Sequence, residues 1–338
     1  MTNENLLLAG DIGGTKTSLA VISAAASPRH PLAEESFVSL AYPDLESVVG
    51  EFLSRTGLVV TRACFGVAGP VVGGRSVITN LPWQIEVEKL QTALRIADVR
   101  LINDLVAVAH AVRHLPAEDF CVLNHGQADP AGALAVIAPG TGLGEAFLTR
   151  QGARWQAHAS EGGHADFAPA TPAEVELLRF LWNRLAHVSY EQVCSGIGLP
   201  NIYAFFKESG AFDEPVWLAA ELAIAVDPVP VIVNAAVNAL EPCAICVATV
   251  EAFAGILAAE AGNLCLKVLA TGGVFIGGGL PPRILSFLKA VRFMETFCRK
   301  GRMSGLLSRV PVRVILNPGA ALLGAAWYGL DPEAGHGE

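Results

Sequence analysis

The chain opens on an alternation of apolar runs and glycines. Residues 6–9 and 17–23 are apolar runs of strand length, and the glycine-rich turn 10–15 lies between them. A strand, a glycine-rich turn and a second strand predict a β-hairpin, whereas a P-loop would continue into a helix.

Helical and strand patterns then alternate. Apolar positions spaced three and four apart predict helices, and continuous short apolar runs predict buried strands. Asn103 and Asp104 follow one of these strands, at the carboxyl end where ligand-binding residues collect in open α/β sheets. The predicted helices are 44–56, 85–96 and 105–112, and the predicted strands are 62–67 and 99–102.

The second half begins with the same pattern. A strand at 133–138, a glycine-rich turn at 139–144 and a β-type continuation at 145–148 repeat the opening hairpin. Thr171 is a suitable N-cap, and Pro172 a suitable first residue, for one of the helices that follow. The further predicted helices are 172–185, 246–266, 283–290 and 319–328, and the further predicted strands are 268–276 and 312–316.

The repeated opening predicts an internal duplication, with two α/β domains flanking a cleft. The expected small domain comprises residues 1–114 and is completed by the C-terminal helix 318–338, and the expected large domain comprises 115–317. A length of 338 residues agrees with about two domains.

Composition excludes several classes of protein. Hydrophobic residues make up 52% and charged residues 16%, which excludes a disordered chain. The net charge of −9 argues against nucleic acid and against anionic membranes as partners. The N-terminus carries Glu4 where a secretory signal would carry Lys or Arg, so we expect a soluble cytoplasmic protein. The seven cysteines are scattered, and Cys243-x-x-Cys246 in an apolar segment is interpreted as two core cysteines.

Three glycine-rich turns are candidate ligand loops. In the first, bare N–H groups of Gly13 and Gly14 suit phosphate oxygens, and Asp11 is placed to hold a hydrated Mg²⁺. A plain tight hairpin is an equally good interpretation on spacing alone. The turn at 140–144 lacks the spacing and the helix of a dinucleotide fingerprint, so we interpret it as a second phosphate hairpin. For 277–279, before a proline-started helix, a simple sharp turn is the stronger interpretation.

A few polar residues are candidates for binding and catalysis. Asn103 and Asp104 could also serve only as a helix cap. Glu161 and His164 stand on either side of two glycines, and they suit a polyol, which presents hydrogen-bond donors and acceptors together, better than a metal. Glu191 precedes the turn 194–198 and would alone be interpreted as a surface acid.

Six motifs in this order resemble the bacterial glucokinase family. They are Gly-Asp-Ile-Gly-Gly-Thr, Ile-Asn-Asp-Leu, Pro-Gly-Thr-Gly-Leu-Gly, Glu-Gly-Gly-His-Ala-Asp-Phe-Ala-Pro, Ser-Gly-Ile-Gly-Leu and Gly-Gly-Val-Phe-Ile-Gly-Gly-Gly. The resemblance runs from about residue 6 to residue 328. It implies the duplicated ribonuclease H-like fold of hexokinase, actin and the heat-shock chaperones, and an enzyme that transfers the γ-phosphoryl group of ATP to the 6-hydroxyl of glucose with Mg²⁺.

The resemblance also implies roles for individual residues. Asp104 matches the catalytic base, and it binds the sugar together with Asn103, Glu161, His164 and Glu191. No protein metal ligand is implied, and a homodimer is the family's usual state. The implied ATP-binding residues are Gly10, Asp11, Ile12, Gly13, Gly14, Thr15, Gly140, Thr141, Gly142, Gly277 and Gly278.

The sequence departs from the family pattern in places. Lys16 follows the first loop as in the related ROK sugar kinases, and Leu105 and Ile197 stand where Phe and Pro are common. Residues 209–242 match poorly. The zinc-binding cysteine cluster of the ROK kinases is missing, so structural zinc is not implied.

Three alternatives stay open at this stage. A kinase for mannose, glucosamine or fructose would share all these motifs. A sugar-responsive repressor would need a helix-turn-helix ahead of the first hairpin, for which Asp11 leaves no room. A non-catalytic, sugar-sensing actin-like ATPase would use the hairpins alone, and the Glu161–His164 pattern argues against it.

Overall fold

The structure is a computed structural model that describes residues 5–78, 81–238 and 240–331. Its contacts divide the chain into two compact units: Met1–Ala117 with Ala157–Ala159 and Asn317–Glu338, and Glu118–Gln156 with Ser160–Leu316. The predicted boundaries after residues 114 and 317 stay a prediction. The end of the predicted C-terminal helix, 332–338, lies outside the described residues.

The first unit alternates strands and helices after an opening hairpin. In chain order its elements are β1 (Leu6–Ile12), β2 (Lys16–Ser23), β3 (Ala33–Val38), a 3₁₀ turn (Ser39–Ala41), α1 (Leu45–Thr56), β4 (Arg62–Val67), β5 (Arg75–Val77), β6 (Gln84–Glu86), α2 (Val87–Leu94), β7 (Asp98–Asn103) and α3 (Asp104–Ala111).

The main sheet of this unit has the strand order β3-β2-β1-β4-β7. β1 and β2 are antiparallel, which confirms the predicted hairpin, and β4 and β7 continue the sheet parallel to β1. β5 and β6 form a separate two-stranded ribbon. The parallel strands therefore end at one edge, where Ile12, Val67 and Asn103 lie in register.

Local sequence explains the first helix. The Asp44 carboxylate accepts the N–H of Ser47 at 2.8 Å, which caps α1, and Gly57 ends the helix in the left-handed conformation. The side chains of Leu45, Val48 and Phe52 are buried. Burying each of them against the sheet contributes about 2 kcal/mol.

The second unit repeats this plan with more helices. In chain order its elements are a 3₁₀ turn (Ala117–Asp119), β8 (Phe120–Asn124), β9 (Leu134–Pro139), β10 (Leu143–Gln151), β11 (Arg154–Ser160), a 3₁₀ turn (Gly162–His164), α4 (Pro172–Trp182), α5 (Gly198–Glu208), α6 (Val216–Ile224), α7 (Pro228–Val237), α8 (Ala244–Val268), β12 (Gly273–Ile276), a 3₁₀ turn (Pro281–Ile284), α9 (Leu285–Leu288), α10 (Val291–Cys298), a 3₁₀ turn (Gly301–Met303), α11 (Ser304–Leu307) and β13 (Val312–Ile315).

The sheet of this unit has the order β11-β10-β9-β12-β13-β8. Its first five strands correspond one to one with β3-β2-β1-β4-β7, from the antiparallel hairpin to the two parallel strands that follow. β8 is an added strand, antiparallel to β13. The matching strand orders confirm the predicted duplication.

The helix α8 is long and apolar enough to cross a membrane by length and composition, with a mean hydropathy of 1.7 in its most apolar window. Two-thirds of that window, 67%, is buried against the rest of the unit. Phe253, Ile256 and Leu257 of α8 belong to the largest hydrophobic cluster, together with Cys243 and Cys246. Its burial is that of a core helix.

The last helix, α12 (Ala320–Leu330), belongs to the first unit and packs on α3 and β1. Ala107 of α3 is the point of closest approach. A Cβ at Gly324 would lie 1.8 Å from its carbonyl oxygen, and a Cβ at Gly66 on β4 would lie 3.2 Å from its Cβ. Two glycines therefore let a helix and a strand approach α3 from two sides.

Several predicted boundaries are wrong. The strand expected at 268–276 begins only at Gly273, because α8 continues through Val268 and ends at Leu269 in the left-handed conformation (φ 51°). The helix expected at 85–96 starts at Val87, since residues 84–86 pair with β5. The helix expected at 172–185 ends at Trp182, although Thr171 caps it as predicted. Residues 283–290 form a 3₁₀ turn and the single helical turn α9.

Candidate active site

The first glycine turn closes the β1–β2 hairpin of the first unit. The N–H of Gly13 donates to the carbonyl oxygen of Lys16 at 3.0 Å. Thr15 is exposed, and Gly13 and Gly14 are partly exposed. The hairpin therefore presents backbone N–H groups of glycines and a threonine hydroxyl to solvent, as a phosphate-binding loop requires.

A buried serine braces this turn. The Ser39 hydroxyl donates to the carbonyl oxygen of Gly13 at 2.8 Å, and the Ser39 N–H donates to that of Thr15 at 3.0 Å. The hydroxyl also lies 3.0 Å from that of Thr17. Ser39 is fully buried. Sequence reasoning missed Ser39, because a single serine after a strand carries no signal.

Asp11 lies next to the turn, near the end of β1, in register with Ser18 of β2 and Gly66 of β4. Burial raises the pKa of its carboxyl from 3.8 to about 6, and the nearby charge of Lys16 opposes that shift. A cation would stabilise the carboxylate form. The residue therefore suits a hard oxygen-seeking ion such as Mg²⁺.

Asn103 and Asp104 lie at the same sheet edge. The Asn103 side-chain oxygen accepts the N–H groups of Leu105 and Val106 at 2.9 and 3.3 Å, and its amide nitrogen donates to Gly69 at 3.1 Å. Asn103 is thus the N-cap of α3, and Asp104 begins the helix. Asp104 Oδ1 accepts the N–H of Leu105 at 2.9 Å. One strand, β4, separates these residues from the Asp11 hairpin, a distance of about 10 Å at sheet spacing.

The second glycine turn closes the β9–β10 hairpin of the second unit. The N–H of Gly140 donates to Gly142 at 2.9 Å. The turn also accepts two backbone bonds from the segment after Glu191: Gly196 N–H to Gly140 at 2.8 Å and Ile197 N–H to Thr141 at 3.2 Å.

Glu191 connects this hairpin with the candidate sugar site. Its Oε2 accepts the N–H of Leu143 at 3.0 Å. A Cβ at Gly142 would lie 2.3 Å from the same oxygen, so a side chain there would have to displace the carboxylate. The carboxylate is therefore held by the hairpin itself.

Glu161, His164 and Glu191 come together. The His164 Nε2 lies 3.9 Å from Glu161 Oε2, and its Nδ1 lies 4.0 Å from Glu191 Oε1. Glu161 and His164 are mostly exposed, and Glu191 is mostly buried with a side-chain exposure of 17%. Two carboxylates and an imidazole in one cluster can bind several hydroxyl groups of one ligand.

The third glycine turn follows β12, the strand next to β9. The Gly277 N–H donates to Ile137 at 2.8 Å. Gly278 has φ +86°, and a Cβ there would lie 2.2 Å from the carbonyl oxygen of Pro139. The structure therefore places Gly277 and Gly278 beside the start of the β9–β10 turn.

Glu145 of β10 is a second residue that sequence reasoning missed. It is buried, and one of its carboxyl oxygens, Oε1, has no hydrogen-bond partner. A charged residue inside a predicted apolar strand was the signal that could have found it.

Two solved structures define the class of protein. The chain resembles the crystal structure of a glucokinase from an Antarctic psychrotroph with a TM-score of 0.81 and 34% identity, covering 95% of this chain and 98% of that one. It shares the fold of a ROK-family glucokinase from Streptomyces griseus, in complex with glucose and AMPPNP, with a TM-score of 0.67, 21% identity and coverage of 96% and 99%. The fold and the paired glycine hairpins define an ATP-dependent sugar kinase of the actin-like ATPase class.

The sequence places the chain more narrowly. Residues 8–331 match the glucokinase family model. A glucokinase of Trichormus variabilis is 40% identical over 336 residues, which cover 95% of this chain and 98% of that protein. The chain belongs to the glucokinase family. The enzymatic activity of that family is ATP-dependent phosphorylation of a hexose, and the resemblance identified in the sequence is confirmed.

Proposed function

We propose that this chain transfers the γ-phosphoryl group of ATP to the 6-hydroxyl of glucose, with the residues of the two hairpin edges in the roles that the sequence predicted. The observation that carries the proposal is the cluster of Glu161, His164 and Glu191, tied directly to a phosphate-type hairpin through Leu143. The structural relative with glucose and AMPPNP bound supports the choice of sugar and donor.

The three clustered side chains bind and orient the sugar. The carboxylates accept hydrogen bonds from hydroxyl groups, and the imidazole can donate or accept. Three polar side chains suit a polyol, which has several hydroxyl groups to bind. A site built to bond hydroxyls lowers kcat/KM for an analogue that lacks one by about 10⁴-fold. Asn103 adds a further polar group beside Asp104.

Asp104 accepts the proton of the attacking hydroxyl. The transition state of phosphoryl transfer is loose, so the enzyme mainly positions the reactants and neutralises charge, while an aspartate orients the nucleophile and takes its proton. Asp104 is fixed for this role by its place at the start of α3, with its Oδ1 held by the Leu105 N–H.

The glycine turns hold the phosphates of ATP. The predicted ATP-binding residues at 10–15, 140–142 and 277–278 offer backbone N–H groups, and their glycines have no side chain that would block the approach of a phosphate. Asp11 is the residue that would hold Mg²⁺, directly or through water. When bound, the ion neutralises charge on the β- and γ-phosphates.

Other assignments belong to the same proposal. We assign the two compact units to the family's small and large domains. A homodimer and a cytoplasmic location follow from the family resemblance, and the buried state of α8 supports a protein without a membrane span.

Replacing Asp104 tests the proposal. Asp104→Asn should lower kcat about 10³-fold, because the base is removed, while glucose KM changes little. Asp98→Asn, at the far end of the strand that leads into Asp104, is the matched control, since it removes a carboxylate that pairs with Arg100. A kcat of Asp104→Asn within about threefold of the wild type would overturn the assignment.

A panel of hexoses in a coupled ATP assay resolves the sugar. Glucose should give the highest kcat/KM. A higher kcat/KM for mannose, glucosamine or fructose would leave the site assignment standing but would replace glucose as the proposed substrate.

A further inference from the structure

A carboxyl group lies buried directly beneath the candidate sugar-binding segment. Glu145 is 2% exposed, and its Oε1 is fully buried without a hydrogen-bond partner. Its other oxygen occupies the space that a side chain at position 162 would need: a Cβ at Gly162 would lie 2.0 Å from Glu145 Oε2 and 2.9 Å from its carboxyl carbon. Gly162 stands between Glu161 and His164.

The surroundings of Glu145 disfavour its charged form. Burial is the first cause and the charge of Glu260 the second, and they raise the pKa of Glu145 from 4.5 to about 7 against the opposing charge of Lys267. Both charged neighbours lie on α8. Lys267 is already paired with Glu260 at 2.9 Å.

Two further titratable groups nearby supply no counter-charge, and the Lys300 ammonium lies near Glu260. The Cys194 thiol is buried near both Glu145 and Glu260, and its pKa is raised well above the ordinary value. Tyr190 lies near Glu260, and its pKa is raised as well. An ionised Glu145 would therefore be a buried charge without compensating hydrogen bonds, which is costly.

The segment above Glu145 is a thin cover that carries the sugar-binding side chains. The Gly162 N–H donates to the Ser160 hydroxyl at 3.1 Å, and the Glu191 N–H donates to the carbonyl oxygen of Gly163 at 2.8 Å. On the other side, α8 is buried core. Water therefore reaches an ionised Glu145 most easily by displacement of the 160–164 segment.

We propose that Glu145 is a positioning residue for sugar binding: as the uncharged acid it supports Gly162 and so holds Glu161 and His164 in place, and its ionisation releases that segment and weakens the affinity for the sugar. The inference rests on the proposed function, because it takes Glu161 and His164 as sugar ligands.

The proposal sets the size of the effect. If only the protonated form binds glucose, the apparent affinity falls in proportion to the protonated fraction, so glucose KM rises about tenfold between pH 6 and pH 8. The turnover of the saturated enzyme is unaffected by this equilibrium, because bound glucose selects the protonated form. By linkage, glucose binding near pH 7.5 takes up a proton.

The first test measures glucose KM and kcat from pH 6 to pH 8 for the wild type and for Glu145→Gln, which keeps the shape of the uncharged acid. The expected result is a KM that rises in the wild type and stays at its low-pH value in the variant, with the same kcat in both. Glu251→Gln, which removes an exposed charge from α8, should follow the wild type. A wild-type KM that is flat with pH, or a Glu145→Gln profile parallel to it, would overturn the proposal.

A second test uses the wild-type protein alone. Calorimetry of glucose binding at pH 7.5 in two buffers of different ionisation enthalpy measures proton uptake, which should be a substantial fraction of one proton per glucose. No uptake would overturn the proposal even if the variant failed to fold.

Glu161→Gln separates this inference from the proposed function. A large rise in glucose KM for Glu161→Gln, together with unchanged pH profiles for Glu145→Gln, would reject only the role of Glu145. An unchanged KM for Glu161→Gln would reject the sugar site itself, and with it the role of Glu145.

Discussion

At the residue scale, the β1–β2 hairpin, the first of the two proposed to hold phosphate, depends on one hydroxyl group outside it. Ser39 is buried and holds the carbonyl groups of Gly13 and Thr15. Fixing these two carbonyls also fixes the direction of the N–H groups of Gly14 and Lys16, because each peptide unit is planar. The hairpin is thus preorganised before nucleotide arrives.

Removing this hydroxyl should weaken the nucleotide site. In Ser39→Ala the Gly13 carbonyl loses a buried donor at a cost of about 1–2 kcal/mol, which corresponds to about a 5–30-fold higher KM for ATP at most. Glucose KM should stay unchanged. Steady-state kinetics with each substrate varied checks both values.

Ser36→Ala is the matched control, because Ser36 of β3 makes a similar hydroxyl pair with Ser18 of β2, away from the carbonyl groups of the turn. A KM for ATP that moves equally in both variants would show that Ser39 acts only through general stability.

At this scale the sequence predicted the candidate ligand-binding residues better than the buried residues that hold them in place. The family resemblance predicted Glu161, His164 and Glu191 as one group, and the structure brings both carboxylates within about 4 Å of the imidazole. Ser39 and Glu145 were missed. Their importance lies in neighbours far away in sequence, which no local pattern contains.

At the element scale, the helix α3 is fixed by glycines on two sides. Gly324 of α12 faces the Ala107 carbonyl, and Gly66 of β4 faces the Ala107 side chain. Because Asp104 begins α3, any shift of Ala107 moves the proposed base with it.

Gly324→Ala should displace α3. A Cβ placed 1.8 Å from the Ala107 oxygen cannot be accommodated in place. We expect a loss of about 3 kcal/mol in the free energy of unfolding and, because a 1 Å misplacement of a reacting group can cost about 100-fold, a kcat lower by that order. Denaturant unfolding and kinetics measure the two effects.

Gly50→Ala provides the contrast within α1. A Cβ at Gly50 meets no heavy atom within 4 Å. It should stabilise the protein by about 0.5–1 kcal/mol through helix propensity. Equal effects of the two substitutions would contradict the packing argument for α3.

Sequence patterns predicted elements well where a period or a turn was distinct. The two hairpins and the capped helices α1 and α4 were expected, since glycine turns and N-caps act locally. The start of β12 was not predicted, because the apolar residues 268–270 suit a helix and a strand equally. Only the burial of α8 decides between the two. The helices α6 and α7 fall in the stretch that matched the family poorly.

At the scale of the whole molecule, two buried ionisable groups set opposite pH limits. His110 is buried against Tyr328, with ring centroids 4.9 Å apart, and burial, followed by the charge of Arg113, lowers its pKa from 6.5 to about 4. The pKa of Glu145 is raised from 4.5 to about 7. His110 belongs to the first unit and Glu145 to the second.

The sign of each contribution follows from proton binding. Between pH 6.5 and 4 the unfolded histidine binds more protons than the folded one, so the stability of the first unit falls as pH falls. Between pH 4.5 and 7 the folded glutamic acid binds more protons than the unfolded one, so the stability of the second unit falls as pH rises and levels off above 7. Each contribution is at most about 3 kcal/mol.

His110→Gln should remove the acid limit of the first unit. The variant cannot gain a proton, so its loss in the free energy of unfolding between pH 6.5 and 4.5 should be smaller than that of the wild type by up to about 2 kcal/mol. Calorimetric scans at four or five pH values measure the difference. A constant offset between the two proteins across this range would show that His110 is not responsible.

The contact between Gly142 and Glu191 ties two distant positions of the gene together. The space that a side chain at 142 would need is filled by the carboxylate of Glu191, which in turn is held by the Leu143 N–H. The effect of a substitution at either position therefore depends on the residue at the other. A larger residue at position 142 is tolerated most easily when position 191 carries a shorter side chain. If Glu191 binds the sugar and this hairpin binds the nucleotide, as proposed, any evolutionary change of sugar preference through Glu191 alters which substitutions the nucleotide hairpin accepts, so the two sites evolve together.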